Sequence, residues 1–247
     1  IFCAVVVLIQ LRKDRQPIVV RDYLKIRPDW AMIRRILGIG IPSGVENSMF
    51  QLGKLAIQST VSTLGTTAIA AQAMTNILEN LNGMAAIGIG VGLMTIVGQC
   101  LGAGRKDEAV YYIKKLSVLA EIIVVASCLL VFALTIPITN LGGMEPESAR
   151  MCFHMISWIT VVKPIVWTLA FIPAYGLRAA GDVKFSMITS CITMWTFRFC
   201  LCVYLIRFRG FGPMAVWIGM FTDWTVRGFF FVRRFRSGKW LEHEVAD

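Results

Sequence analysis

The chain has 247 residues, of which 56% are hydrophobic and only 16% charged, with a mean hydropathy of +0.66, so it is not an ordinary soluble domain, which averages nearer ~25% charged. Its 25 lysines and arginines outnumber 15 acids, giving +10. Nucleic-acid binding needs such charge gathered on one face. Here it comes in short bursts between long apolar runs, the pattern of an all-α polytopic membrane protein, and nucleic acid is excluded as a partner.

In chain order, residues 1–11 are apolar apart from Gln10 but too short to cross ~30 Å of hydrocarbon at ~1.5 Å per residue. Arg12, Lys13 and Arg15 follow this stretch, whereas a signal peptide carries its cations in front. The segment is expected to be the end of a spanning helix that starts upstream of the given sequence. Residues 12–36 form a basic loop, in which Asp29 is placed to cap a short interfacial helix bearing Trp30, Ile33 and Leu37. Six runs long enough to span follow at 37–63, 68–99, 112–136, 151–177, 185–206 and 213–232. They predict a six-helix transmembrane bundle over 37–232, and 233–247 is a basic tail.

With spans alternating in direction, eighteen of the 25 cations fall on one side, and Arg150, Arg207 and Arg209 fall on the other. The positive-inside rule makes the first side cytoplasmic, including the 12–36 loop and the C-terminus, and predicts a multi-pass protein of the cell membrane. Lys54, Lys163, Arg198 and Arg227 lie inside spans. The cysteines sit almost entirely in or at the ends of spans, without metal-ligand spacing, and are read as small apolar residues.

Ionisable groups inside spans are functional candidates, since lipid exposure costs roughly 2.5–3.5 kcal/mol even on the lenient insertion scale. Ser43, Asn47, Gln51, Lys54, Gln58 and Ser62 form one polar stripe at helical spacing, with Glu46 at its edge. Gln72, Thr75, Asn76, Glu79 and Gly83 form another in the next span. Lys54 and Glu79 lie at matching depth, roughly 15–18 Å from the outer helix ends. They are expected to pair in the bundle interior, either as glue between helices or as a switchable part of an ion path. Glu121, Lys163, Arg198 and Asp223 also sit at middle depth, and Asp223 can pair with Arg227 four residues on. Gly40/Gly44, Gly88/Gly92 and Gly98/Gly102 have GxxxG spacing, which predicts close helix approach.

Four stretches carry a family resemblance: Ile39-Gly40-Ile41-Pro42-Ser43-Gly44-Val45-Glu46, Leu64-Gly65-Thr66 with Ala70-Ala71-Gln72, Val97-Gly98-Gln99-Cys100-Leu101-Gly102-Ala103-Gly104-Arg105, and Gly176-Leu177-Arg178-Ala179-Ala180-Gly181-Asp182. In order and spacing the chain resembles the C-terminal lobe of the multidrug and toxic compound extrusion (MATE) family, from the end of the sixth of twelve helices onward. On this resemblance residues 1–11 end the sixth helix and 12–36 form the cytoplasmic inter-lobe loop. It implies an antiporter whose two six-helix lobes alternate between outward and inward openings, exporting organic, often cationic, compounds in exchange for H⁺ or Na⁺. The implied partners are an N-terminal lobe of the same polypeptide, a small organic cation or drug, and the bilayer. The full-length protein is expected to be a monomer without cofactor or bound metal.

The family's acid in its seventh helix has Glu46 in its region, whereas the position used by some members falls on Phe50. The acid that some members place in the tenth helix falls on Trp167, beside Lys163. The coupling candidates are therefore Glu46 and Glu79, or residues of the other lobe. Protonation of either would ease closure of the polar cavity, and a cationic substrate would compete for the bare carboxylate. The expected ion-coupling and substrate cavity comprises Glu46, Asn47, Gln51, Lys54, Gln72, Asn76, Glu79, Lys163 and Trp167, with Phe50, Trp158 and Trp167 available for stacking. The alternative is a lipid-linked oligosaccharide or lipid flippase of the same superfold, with a cavity lined by Lys54, Lys163 and Arg198. An enzyme is not expected, since no HExxH, paired-His metal spacing or Ser/Lys dyad is present.

Overall fold

The computed structural model describes residues 29–242. The expected helix end at 1–11, most of the 12–36 loop and the last five residues of the tail lie outside the described residues. Helix α1 (Trp30–Val61) is extended by a 3-10 turn at Ser62–Leu64 and followed by α2 (Thr66–Gly102), α3 (Lys106–Leu141) and α4 (Pro146–Ala179). Helix α5 (Val183–Thr193) passes through a π-helical segment, Met194–Cys200, into α6 (Leu201–Arg209); α7 (Met214–Arg236) and a 3-10 turn at Lys239–Glu242 complete the order, with no strand among the described residues.

The six expected spans fall on these helices. Asp29 caps α1 as expected, its Oδ1 accepting the N–H groups of Ala31 and Met32 at 2.9 and 3.2 Å. The helix it starts is not a short one, however, and continues through Pro42 to Val61. Helices α2, α3, α4 and the continuous Val183–Arg209 are long and apolar enough to cross a membrane. Helices α1 and α7, of 32 and 23 residues, have the length, but their polar and charged stripes lower their hydropathy. Leu55, Leu81, Met84, Leu129, Leu130 and Ile165 are all more than half exposed. Apolar surface spread over four helices is tolerable only where lipid is the solvent, and an all-helical chain keeps its backbone hydrogen bonds internal there.

Two apolar cores hold the bundle. The larger joins α2, α3, α4 and α7 through Leu78, Leu93, Ile113, Val124, Met155, Ile159, Ile172, Trp217 and Trp224. The smaller joins the C-terminal half of α1 (Ile57, Val61) to the π segment, α6 and the start of α7 (Met194, Cys202, Ile206, Val216). The charged interior is built between these two cores. At the end of the bundle rich in cations, α2 and α4 both finish on a left-handed glycine, Gly104 (φ 74°) and Gly181 (φ 85°). The next N–H in each case reaches back five residues, Arg105 to the Cys100 carbonyl at 2.9 Å and Asp182 to the Leu177 carbonyl at 3.0 Å. This closure explains Gly104 and Gly181: a side chain there would be strained in the left-handed region.

The GxxxG expectation is corrected. A Cβ added at Gly40, Gly44, Gly88, Gly92, Gly98 or Gly102 would meet nothing within 4 Å among the described residues. Close approach falls instead on isolated glycines: Gly53 against the Met194 side chain, Gly90 against the Tyr175 ring, and Gly219, whose added Cβ would lie 2.8 Å from the Arg198 carbonyl oxygen. Spacing alone identifies a small-residue face without saying whether a neighbour occupies it. Gly219→Ala is therefore expected to destabilise the protein by about 1–3 kcal/mol, because backbone cannot yield to the new methyl. Gly92→Ala should leave the melting temperature of the detergent-solubilised protein unchanged or raise it, through better helix propensity. Equal melting temperatures for the two variants would refute this packing assignment.

Candidate functional site

The ionisable side chains of the spans converge in the middle of the bundle. Lys163, in the centre of α4, is fully buried, and its ammonium donates to Glu79 Oε1 of α2 at 2.7 Å and to the Glu79 carbonyl oxygen at 3.2 Å. Gly83, one turn beyond Glu79, lies beside it: a Cβ there would stand 3.4 Å from Lys163 Nζ, in ordinary contact. The expected Lys54–Glu79 pair is thus replaced by Lys163–Glu79. The polar stripe of α2 turns toward α4 and α7. The stripe of α1 stays largely exposed, with Asn47, Gln51, Lys54 and Gln58 on it.

A second charged group surrounds Asp223 of α7, which is fully buried. Arg227 Nη2 donates to both its carboxylate oxygens, at 3.0 and 3.1 Å, which is the expected pairing within one helix. Arg198 approaches from the π segment, with Nη1 at 4.0 Å from Asp223 Oδ2. The widened π turn gives this arginine its place, and Gly219 lets α7 lie against the same backbone. Phe50 of α1 joins the group, its ring facing Lys54 at 5.2 Å, Arg198 at 5.2 Å and Arg227 at 5.8 Å. An aromatic with three cations therefore stands where the family resemblance places an acid.

Aromatic contacts connect the two charged groups. Arg227 lies over Phe171 at 5.5 Å, Phe171 stacks on Trp167 at 4.9 Å, and Lys163 lies over Trp167 at 5.6 Å. A continuous run of contacts thus passes from α1 through the π segment and α7 to α4 and α2. Such rings stabilise desolvated cations by about 2 kcal/mol or more each and leave the charge in place.

Glu46 sits apart, at the basic end. Its Oε1 accepts from Arg178 Nη2 at 2.5 Å, and Arg178 also donates to Ser186 at 3.1 Å. Asp182 accepts from Arg234 Nε at 2.7 Å. The Arg178–Asp182 stretch thereby fastens α1, α5 and α7 together where α4 ends. Sequence reading counted Arg178 only as a loop cation and gave no sign of its partner.

Of the expected cavity residues, Glu79, Lys163 and Trp167 come together. Gln72 and Asn76 form a separate group, in which Trp217 Nε1 donates to Gln72 Oε1 at 3.1 Å and Gln72 Nε2 to Asn76 Oδ1 at 3.3 Å. Asn47, Gln51 and Lys54 lie along α1, and Glu46 belongs to the end clasp. Asp223 and Arg227 belong to no expected cavity, and Arg198 only to that of the flippase alternative, although each carries the right signal, a charge inside a span. Two buried cysteines serve as weak acceptors, Cys128 for Asn82 at 3.0 Å and Cys152 for Thr75 at 3.3 Å.

Removing one partner of a buried ion pair leaves the other charge stranded, at a cost of about 3–5 kcal/mol, whereas replacing both is often close to neutral. Lys163→Met or Glu79→Gln alone should thus lower the melting temperature markedly, and the double variant should recover most of the loss. Additive losses in a double-mutant thermal-denaturation cycle would contradict the pairing.

Comparison with known proteins accords with this architecture. The MatE family pattern matches residues 42–204. A probable multidrug resistance protein NorM of Thermotoga maritima is 27% identical over 239 residues, covering 96% of this chain and 48% of its own. Among solved structures, an outward-facing multidrug resistance MATE family transporter superposes with a TM-score of 0.78 at 14% identity, covering 96% of this chain and 54% of its own. A MOP superfamily transporter from Pyrococcus furiosus, described as having a binding pocket of reverse polarity, gives 0.73 at 19% identity, with 81% and 44% covered. The chain spans about half the length of the curated relatives it matches. A six-helix bundle with charge paired in its interior and a family pattern over most of its length lead to one conclusion: the chain belongs to the MatE family of membrane transporters.

Proposed function

We propose that this chain is the C-terminal lobe of a secondary active antiporter that exports organic compounds in exchange for H⁺ or Na⁺. The lobe works with an N-terminal lobe of the same polypeptide, as a monomer in the cell membrane, with the basic end and C-terminus in the cytoplasm. The observation that carries the reading is the Lys163–Glu79 pair in the middle of a MatE-family bundle. Named relatives described as multidrug resistance proteins support export of varied organic compounds over movement of lipid-linked oligosaccharides.

In this reading Glu79 is the coupling acid. As a carboxylate it holds Lys163, and through it α2 is held to α4. A proton or sodium ion taken up at Glu79 competes with that hold, frees Lys163 to shift along the Trp167 face, and changes the balance between two arrangements of the lobe. Glu46 and Arg178 act at the other level: their pair closes α1 onto the end of α4 at the basic end and must open when that end admits substrate.

Ion-driven dye efflux by the full-length protein in inverted vesicles tests the assignment. Glu79→Gln should lower efflux under either an imposed proton or sodium gradient by at least about tenfold, the loss expected when one charge-assisted contact of ~1.4 kcal/mol or more is removed. The Glu79→Gln, Lys163→Met double variant should recover stability without recovering efflux. Full efflux in that double variant would show that the pair only holds helices together.

A further inference from the structure

In one cluster of this lobe's interior the cations outnumber the carboxylates they touch. One run of contacts links Lys54 and Phe50 of α1, Arg198 of the π segment, Asp223 and Arg227 of α7, Lys163, Trp167 and Phe171 of α4, and Glu79 of α2. Within it four cations meet two carboxylates. Glu79 is engaged by Lys163, and Asp223 is shared between Arg227 and Arg198. The Glu46–Arg178 pair is neutral in itself, and Glu121 of α3, whose charge reaches Cys128 together with those of Glu79 and Lys163, lies on the far side of the Glu79–Lys163 pair from Arg198 and Lys54 in the run of contacts.

Two guanidinium groups of the cluster also carry unmet donors. Arg198 and Arg227 are only 7% and 3% exposed, and the Nε of each is buried without a hydrogen-bond acceptor. Arg198 Nη2 is turned toward the Met220 thioether at 2.8 Å, a weak acceptor. Buried donors without an acceptor carry the full desolvation penalty, and the oxygen pair of a carboxylate or phosphate matches the arginine fork. The Phe50 ring beneath three cations supplies an apolar surface and no negative charge. Lys54, exposed on the same face of α1, stands at the open side of the cluster.

We propose that this cluster is an anion-binding site, which takes an organic anion bearing a carboxylate or phosphate. Its charged end lies between Arg198, Arg227 and Lys54, and its apolar body lies against Phe50 and Phe171. The proposal rests on the transporter reading above and gives that reading a substrate class. It replaces the organic cation expected from family resemblance, because both carboxylates of the cluster already hold cations of the protein itself.

The test is equilibrium binding to the full-length protein in detergent without any ion gradient, read by fluorescence anisotropy. Carboxyfluorescein serves as an aromatic anion and ethidium as an aromatic cation. Saturable carboxyfluorescein binding is expected, weakened by about tenfold or more in Lys54→Met and in Arg198→Gln, with Arg198→Lys recovering part of the loss. Lys54 is exposed, so its variant reports on binding even where the arginine variants fail to fold. Displacement of the dye by phenyl phosphate identifies a soluble anion, and displacement only by phosphatidylglycerol in mixed micelles identifies a lipid headgroup; both support the anion class. Ethidium binding without carboxyfluorescein binding, binding of neither dye, or carboxyfluorescein binding unaltered in Lys54→Met overturns the proposal. Carboxyfluorescein that binds but is not moved by proton or sodium gradients in vesicles leaves the anion site standing and removes the antiport reading instead.

Discussion

A charge inside a bilayer-spanning bundle must find a partner, and the interior of this lobe is organised around that requirement. Glu79 and Lys163 tie α2 to α4, Asp223 ties α7 to the π segment through Arg198, and Glu46 and Arg178 tie α1 to the end of α4. Apolar packing between helices is weakly directional in lipid, because a leucine gains little by leaving hydrocarbon for other side chains. Pairs of opposite charge are directional, and they fix which faces of which helices meet. One small residue follows from the pairs: Gly219 lets α7 approach the π backbone that presents Arg198.

The pairs occupy two levels with different mechanical consequences. In the middle, charges and aromatics from five elements form one connected cluster, so a change of occupancy at any member alters the field on the rest. At the basic end, Arg178, Asp182 and Arg234 join α1, α5 and α7 across the short turn after α4. Helix α1 takes part in both levels: Glu46 belongs to the clasp and Phe50, one turn on, to the cluster. A rotation or tilt of α1 therefore links what happens in the middle to what happens at the end without needing any longer pathway.

Sequence and structure differ most instructively at Lys54 and Phe50. Counting residues from the helix ends put Lys54 and Glu79 at one depth, and the presence of unlike charges suggested a pair. Lys163 takes the carboxylate because α4, which lies against α2, brings its ammonium from within the larger core. Phe50 looked like the loss of an acid. Its surroundings give it a place of its own, as the ring on which three cations converge.

The sequence by itself determined the number and order of the helices, the polar stripes and the four cations placed inside spans. These follow from hydropathy, periodicity and local backbone chemistry, all of which act within about one helical turn. Only the tertiary structure decided that Glu79 meets Lys163, that Glu46 meets Arg178, that the GxxxG faces are unoccupied among the described residues, and that Arg198 and Arg227 share one aspartate. The physical reason is that periodicity fixes where a side chain lies on its own helix, whereas the partner it faces depends on how whole helices rotate and pack. That choice is made by the summed contacts of residues far apart in the chain.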